Sequence, residues 1–211
     1  VMASMLRKSH SFLILFTFAV ILITNCFTEI RSYAQLIPPD EVKTLQIISD
    51  KLKNQRWTTV SQTSCHDGGT TFKGTSGPNF LANVTCDCSF NQGTVCHVTN
   101  IELKGLNLSG VLPAEFGNVT HLKEIDLSRN YIAGPIPISL SKIPLVILSL
   151  LGNRNSGRIP DEIGQIASLE ELILEDNELG GPLPPSLGNL KNLRRLVLSG
   201  NNVNGTVPET Y

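Results

Sequence analysis

The sequence predicts an α/β solenoid in which short parallel strands stack into one sheet. A similar segment recurs with spacings of 24, 23, 24 and 24 residues, and its copies start at Ile101, Ile125, Leu148, Leu172 and Leu196. Within each copy, apolar residues alternate as they do in a strand with one buried face. Glycine and proline keep the same register in all five copies, which helical periodicity would not do. Repeats of this period indicate a stacked solenoid.

The first 34 residues predict a signal peptide. Arg7 and Lys8 precede an apolar run over residues 12–24, and Ser32-Tyr33-Ala34 has the small-x-small pattern of a cleavage site, so we expect cleavage after Ala34. The 13 apolar residues are short for a membrane span, which needs about 20. An uncleaved membrane anchor is the alternative.

Residues 35–98 predict an N-terminal capping region. Asp40 is placed to cap a helix whose apolar residues recur at helical spacing: Val42, Leu45, Ile48 and Leu52. We expect this helix to cover the first coil, because an uncovered solenoid end exposes leucine and an unpaired strand edge. Trp57 is interpreted as a buried cap residue, and the Gly/Ser/Thr-rich stretch 61–83 as a loop.

Four cysteines follow the predicted cleavage site: Cys65, Cys86, Cys88 and Cys96. An even number in a secreted domain indicates disulfides. Of the three possible pairings, one would join Cys86 to Cys88 across a single residue and strain the loop. Two connectivities remain, with Cys65 bound to Cys86 or to Cys88. A zinc site using His66 and His97 is the rival interpretation, although the spacing matches no common zinc motif.

Charge and modification motifs fit a secreted protein. The whole chain carries a formal charge of −1; residues 1–34 carry +2, which leaves −3 for the remainder. No basic stripe or aromatic platform suggests nucleic acid. Sequons of the N-x-[ST] type predict glycosylation at Asn83, Asn107, Asn118 and Asn204.

Residues 99–211 predict about five coils, the last one truncated. An asparagine column is expected to hydrogen-bond the backbone of each turn: Asn130, Asn153, Asn177 and Asn201. A glycine column follows where the chain bends out of each strand: Gly110, Gly134, Gly157, Gly181 and Gly205. The second copy is one residue short, and the deletion falls in the convex segment, where length changes are tolerated.

The residues that alternate with the buried leucines predict a docking surface on the concave side. Ile147, Leu151, Ile173 and Val197 are apolar on this exposed register, and they fall on neighbouring coils. We expect them to form a patch that binds a partner. The predicted contact residues are Glu124, Asp126, Ile147, Leu151, Glu171, Ile173, Glu175 and Val197.

The repeat signature resembles that of plant extracellular leucine-rich repeats. It reads LSGVLP, IAGPIP, NSGRIP, LGGPLP and VNGTVP, and the leader CDCSFNQGTVCHVTNIELKGLNLSGVLP resembles one branch of plant receptor-like Ser/Thr kinases. That branch carries repeats, a malectin-like domain, a membrane helix and a cytoplasmic kinase. The resemblance implies a leucine-rich-repeat solenoid with a concave parallel β-sheet and a helical, disulfide-bearing N-terminal cap.

The same resemblance implies an ectodomain fragment of a receptor kinase. It would bind an extracellular peptide, a wall component or another receptor ectodomain, and would reach the plasma membrane only through a downstream region of its parent. As a short product it would be secreted. No kinase motif, catalytic residue, cofactor or metal site is predicted within these 211 residues. An enzyme inhibitor similar to the polygalacturonase-inhibiting proteins is the alternative function.

Overall fold

The computed structural model describes residues 35–53, 60–65, 71–73 and 81–211, without the side chains of 71–73. The predicted signal peptide, Trp57 and His66 lie outside these residues. Among the helices described, none is long and apolar enough to cross a bilayer.

The cap helix α1 spans Pro39–Lys51. Its apolar stripe is buried as the spacing predicts, with Leu45 and Ile48 fully buried. The expectation that Asp40 caps the helix is wrong, because the N-cap is Pro38 and Asp40 already lies in the first turn. Pro39 can start the helix since the missing N–H would have no partner there. The negative Asp40 carboxylate instead lies at the positive end of the helix dipole, where it stabilises the helix.

Twelve strands are described, and they form two sheets. The larger sheet has the order β1-β2-β3-β5-β7-β9-β11, and the smaller one has the order β12-β10-β8-β6-β4. The strands are β1 Thr71–Lys73, β2 Leu81–Phe90, β3 Val95–Lys104, β4 Ser109–Val111, β5 Glu124–Asp126, β6 Tyr131–Gly134, β7 Ile147–Ser149, β8 Arg154–Gly157, β9 Glu171–Ile173, β10 Glu178–Pro182, β11 Arg195–Val197 and β12 Asn202–Asn204.

Strands β3, β5, β7, β9 and β11 pair in parallel and in register. This pairing aligns one buried residue from each of five coils: Ile101, Ile125, Leu148, Leu172 and Leu196. These residues and the leucines two positions further on point into one core. One coil could not bury them alone, so each coil depends on its neighbours. This arrangement confirms the predicted leucine-rich-repeat solenoid with its concave parallel sheet.

The cap differs from the prediction, because it adds antiparallel strands to the same sheet. The stretch 61–83, expected to be a loop, contains β1 and the start of β2, and β2 pairs antiparallel with β3. Ala82, Val84 and Cys86 are buried at every second position of β2, a strand pattern that the glycine-rich flank obscures. Moreover, β3 runs through the boundary expected between residues 98 and 99.

The asparagine column behaves as predicted and joins neighbouring coils. The Asn130 Nδ2 donates to the carbonyls of Leu103 in the preceding coil and Leu127 in its own, at 2.7 and 2.8 Å. Its Oδ1 accepts from the backbone N–H of Leu106 and Leu108, both at 3.0 Å. Equivalent bonds are made by Asn153, Asn177 and Asn201.

On the side opposite the larger sheet, each of four coils carries a short 3-10 helix. Each helix begins directly after the proline that recurs at the same position of every repeat. The helices are Ala114–Asn118, Ile138–Lys142, Asp161–Gln165 and Pro185–Asn189. After three of them the next residue has ψ near 80°, but Ile143 is extended, with ψ 151°. The one-residue deletion of the second copy is therefore absorbed at this point, as expected.

The cap helix contacts the first coil, and the disulfides crosslink the cap itself. The Lys51 ammonium lies 2.5 Å from the Glu115 carboxylate of the first coil, and the Ser109 N–H donates to the Leu52 carbonyl at 3.3 Å. The disulfides join Cys65 to Cys86 and Cys88 to Cys96, which is one of the two connectivities left open by the sequence.

Candidate functional site

The front face, as we define it, consists of the residues of the parallel strands that alternate with the core leucines and point outward. Strand register arranges them in columns. The first column contains Asn100, Glu124, Ile147, Glu171 and Arg195. The second contains Glu102, Asp126, Ser149, Ile173 and Val197. A third follows at the strand ends, where successive backbone bonds connect the coils, and contains Lys104, Ser128, Leu151, Glu175 and Ser199.

Carboxylates dominate the front face over its first two coils. The Glu124 carboxylate accepts a 2.6 Å hydrogen bond from the Asn100 amide. Burial raises the pKa of Glu124, and the charges of Glu102 and Asp126 add to the effect although the Asn100 bond opposes it. Packing like charges close together in this way favours a partner that brings positive charge.

A lysine partly neutralises this acidic surface. The Lys104 ammonium lies 2.9 Å from the Asp126 carboxylate. Burial alone would lower the pKa of Lys104, but the hydrogen bond and the charge of Asp126 raise it overall. Asp126 also accepts from the Ser128 hydroxyl at 2.5 Å, so its orientation is fixed.

The apolar residues predicted to form a patch are centred on Ile173. Val197 lies directly opposite Ile173 on the next strand, and Ser149 lies opposite it on the preceding strand. Ile147 and Leu151 are two positions either side of Ser149, at the diagonal distance of about 7–8 Å over which long side chains still touch. All four apolar residues are half-buried. Glu171 and Glu175 lie two positions before and after Ile173 in the same coil.

The predicted glycosylation sites have two different settings. Asn107, Asn118 and Asn204 are exposed, whereas Asn83 is half-buried on β2 opposite Glu102. The Asn83 amide donates to the Glu102 carboxylate at 3.5 Å. A glycan on Asn83 would therefore stand at the edge of the front face.

A second cluster, which the sequence did not predict, contains two histidines. The rings of His97 and His121 stack with their centroids 3.8 Å apart, and the edge of Phe90 meets both rings. The Glu41 carboxylate of α1 lies 2.6 Å from the His97 Nδ1. His97 and His121 are one repeat apart in sequence, so their shared column position was the available signal.

The electrostatics of this cluster follow from burial. Glu41 is 8% exposed, and its second oxygen accepts from the Val98 N–H at 2.7 Å. Burial and the neighbouring His97 lower the pKa of His121, against the attraction of Glu41 and Asp87. Asp87, which lies opposite His97 on β2, has its own pKa lowered by the Ser89 hydrogen bonds.

Comparison with known proteins places the repeats among plant receptors. The family model for the leucine-rich repeat matches residues 121–143, 168–190 and 192–211. A probable LRR receptor-like serine/threonine-protein kinase of Arabidopsis thaliana is 51% identical over 65% of this chain and 13% of its own length. A second such kinase from the same plant is 43% identical over 88% of this chain and 18% of its own length. The chain thus spans less than a fifth of these relatives.

Solved structures give the same result. The LRR ectodomain of the Arabidopsis thaliana receptor kinase GASSHO1/SCHENGEN3, in complex with CASPARIAN STRIP INTEGRITY FACTOR 2, superposes with a TM-score of 0.68 and 29% identity, over 81% of this chain and 19% of that one. The plant peptide hormone receptor RGFR1, in complex with RGF2, superposes with a TM-score of 0.53 and 29% identity, over 56% of this chain and 18% of that one.

Proposed function

The chain is a plant leucine-rich-repeat protein homologous to the receptor-like serine/threonine kinases, and from this premise we propose that it perceives an extracellular ligand on its front face. It acts as the ligand-binding ectodomain of a membrane receptor in the secretory pathway. The kinase activity belongs to other parts of that receptor. This proposal rests on the homology together with the chemistry of the front face.

The proposed binding surface rests on one observation, the apolar patch of Ile147, Leu151, Ile173 and Val197. These apolar side chains lie on the front face, which is accessible to solvent. The residues beside them are the carboxylates Glu171 and Glu175. Interfaces use such a combination, with an apolar centre that loses water on binding and a charged rim that selects partners.

The chemistry of this surface selects a polypeptide partner with an apolar anchor next to lysine or arginine. The anchor would pack on Ile173 and Val197. The basic group would pair with Glu171 or Glu175, since Glu175 already accepts a 2.6 Å hydrogen bond from the Ser199 hydroxyl and is held in place. A secreted peptide or the exposed segment of another receptor ectodomain has this chemistry.

We further propose that glycans on Asn107, Asn118 and Asn204 leave the front face open. These asparagines are exposed, and none belongs to the three columns. A glycan on Asn83 would border the column of Glu102 and Asp126, and would restrict how a partner approaches from the cap side.

Selection from a displayed random-peptide library tests the proposal. Binders of the secreted chain are expected to be enriched in an apolar residue adjacent to Lys or Arg. The Ile173→Asp variant should bind them at least about tenfold more weakly, because it puts a third carboxylate between Glu171 and Glu175 and removes the anchor contact.

The matched control is Ile138→Asp. Ile138 is 60% exposed and lies in a 3-10 helix on the opposite side of the coil, so the same substitution should leave binding unchanged. Enrichment of acidic peptides, or equal binding by the wild type and Ile173→Asp, would contradict the proposed surface.

A further inference from the structure

The cluster of Glu41, His97 and His121 has the composition of a metal site. One potential ligand atom from each residue can be chosen so that all three lie within 4.8 Å of one another. The three residues come from separate elements: the first turn of α1, strand β3, and the turn that precedes β5. The fold therefore brings the three side chains close together without an ion.

Glu41 is held in an unusual setting for a carboxylate. It is 92% buried, and burying a charge is costly unless hydrogen bonds or a cation compensate it. One oxygen accepts from the Val98 N–H at 2.7 Å and the other meets the His97 Nδ1 at 2.6 Å. A divalent cation could take the place of the proton shared with His97 and compensate the carboxylate more fully.

The second histidine adds a further nitrogen donor beside the Glu41–His97 pair. His121 stacks on His97 at 3.8 Å with the ring planes 24° apart. Its Nδ1 lies 3.2 Å from the Thr120 hydroxyl, which leaves Nε2 available to a ligand. Imidazole nitrogens are common ligands of a zinc ion.

We propose that Glu41, His97 and His121 bind a zinc-class divalent cation that joins the cap helix to the first coil. Two imidazole nitrogens and one carboxylate oxygen suit Zn²⁺, which leaves a fourth position to water. Mg²⁺ and Ca²⁺ prefer oxygen ligands and fit less well. Zinc–ligand bonds of about 2.0–2.2 Å keep any two donors within about 4.3 Å, and binding requires the two imidazole rings to turn out of their stacked arrangement so that one nitrogen of each points at the ion.

The bound ion would strengthen a junction that the disulfides do not cover. The bridges lie within the cap, between Cys65 and Cys86 and between Cys88 and Cys96. The cluster instead connects α1, through His121, to the turn that precedes β5. This site is separate from the front face, so the proposal stands independently of ligand perception.

Calorimetric titration of the secreted, tag-free chain with zinc chloride tests the site. The expected result is one ion per chain and a higher melting temperature with zinc. In His121→Ala, which keeps the Glu41–His97 pair, the affinity should fall at least about tenfold and the melting temperature should no longer respond. Glu115→Gln is the matched control, since Glu115 is also a carboxylate paired with α1, and it should bind zinc like the wild type.

Two results would overturn the proposal. Equal zinc affinity in the wild type and His121→Ala would reduce the cluster to a structural Glu–His pair, and a stoichiometry far from one would indicate adventitious surface binding. If His121→Ala is not secreted, the wild type loaded with Co²⁺ decides the question. A bound, four-coordinate cobalt gives intense visible absorption that zinc displaces, and its absence would rule out the site.

Discussion

Replacing Asn153 should strongly destabilise the solenoid. Asn153 is 8% exposed. Its Oδ1 accepts from the Ile132 N–H at 3.0 Å, and its Nδ2 donates to the Leu127 and Leu150 carbonyls at 2.9 and 3.0 Å. Asn153→Ala would leave the Ile132 N–H without this partner, and the two carbonyls would keep only their bonds from neighbouring asparagines, Leu127 from Asn130 and Leu150 from Asn177.

The magnitude follows from one backbone group left unpaired and two hydrogen bonds lost. The unpaired Ile132 N–H costs about 1–3 kcal/mol and each lost carbonyl bond about 0.5–1.5 kcal/mol, so Asn153→Ala should lower the free energy of unfolding by about 2–6 kcal/mol. This is a large part of the 5–15 kcal/mol that is typical of a folded domain. Urea denaturation followed by circular dichroism measures the change, provided that the slope with urea stays constant.

The matched control is Asn201→Ala, which lies two coils further along the same asparagine column. Asn201 makes the same bonds, at 2.8 and 3.0 Å to the Leu174 and Leu198 carbonyls, but it is half-buried. Water can replace it there, so the expected loss is only about 1–2 kcal/mol. If the two alanine variants lose the same stability, the argument from buried coil-to-coil bonds is wrong.

Asn153→Asp adds a pH test at constant shape. Its ionised carboxylate would place negative charge next to two carbonyl oxygens in a buried site, which raises the folded-state pKa above the ordinary value of about 3.9. With the folded pKa raised, the stability of this variant is retained below that value and lost as pH rises through the folded pKa. A variant whose stability does not fall as pH rises would contradict this reasoning.

Further outcomes follow from the cap, the convex side and the front face. Gly164→Ala should lower the melting temperature, because a Cβ there would overlap the Ser186 backbone, whereas Gly180→Ala should be nearly neutral since its Cβ would lie 3.6 Å from the nearest atom. Glu124→Gln should be more stable than the wild type at pH 7: burial raises the pKa of Glu124, so its stabilising contribution below the ordinary value of 4.5 is lost as pH rises through the folded pKa. Unfolding curves at pH 4 and pH 7 that shift equally for both proteins would refute this. Peptide mapping without reduction should find only the two crosslinked pairs Cys65–Cys86 and Cys88–Cys96; a Cys65–Cys88 peptide would contradict the structure.

The repeat was readable from sequence because its information is local and periodic. The hydrogen bonds of Asn130 could be predicted because asparagine recurs at the same turn in successive coils. The front-face residues followed from the alternation of Ile125 and Leu127 with their polar neighbours. The predicted binding and glycosylation roles stay predictions, because they depend on partners and modifications outside the chain.

The cap was harder because its contacts are distant in sequence and occur only once. Glu41 meets His97 across 56 residues, and no pattern marks such a pair. The β2–β3 pairing was missed because the polar flank of β2 outweighed the alternation of Ala82, Val84 and Cys86. By contrast, the 24-residue separation of His97 and His121 equals the repeat, so it was visible in principle.

The asparagine bonds that connect different coils all point to the preceding coil. Each side chain serves the backbone of the coil before it: Asn153 accepts from Ile132, and Asn177 donates to Leu150. A coil is therefore incomplete until the next one has been synthesised and has docked.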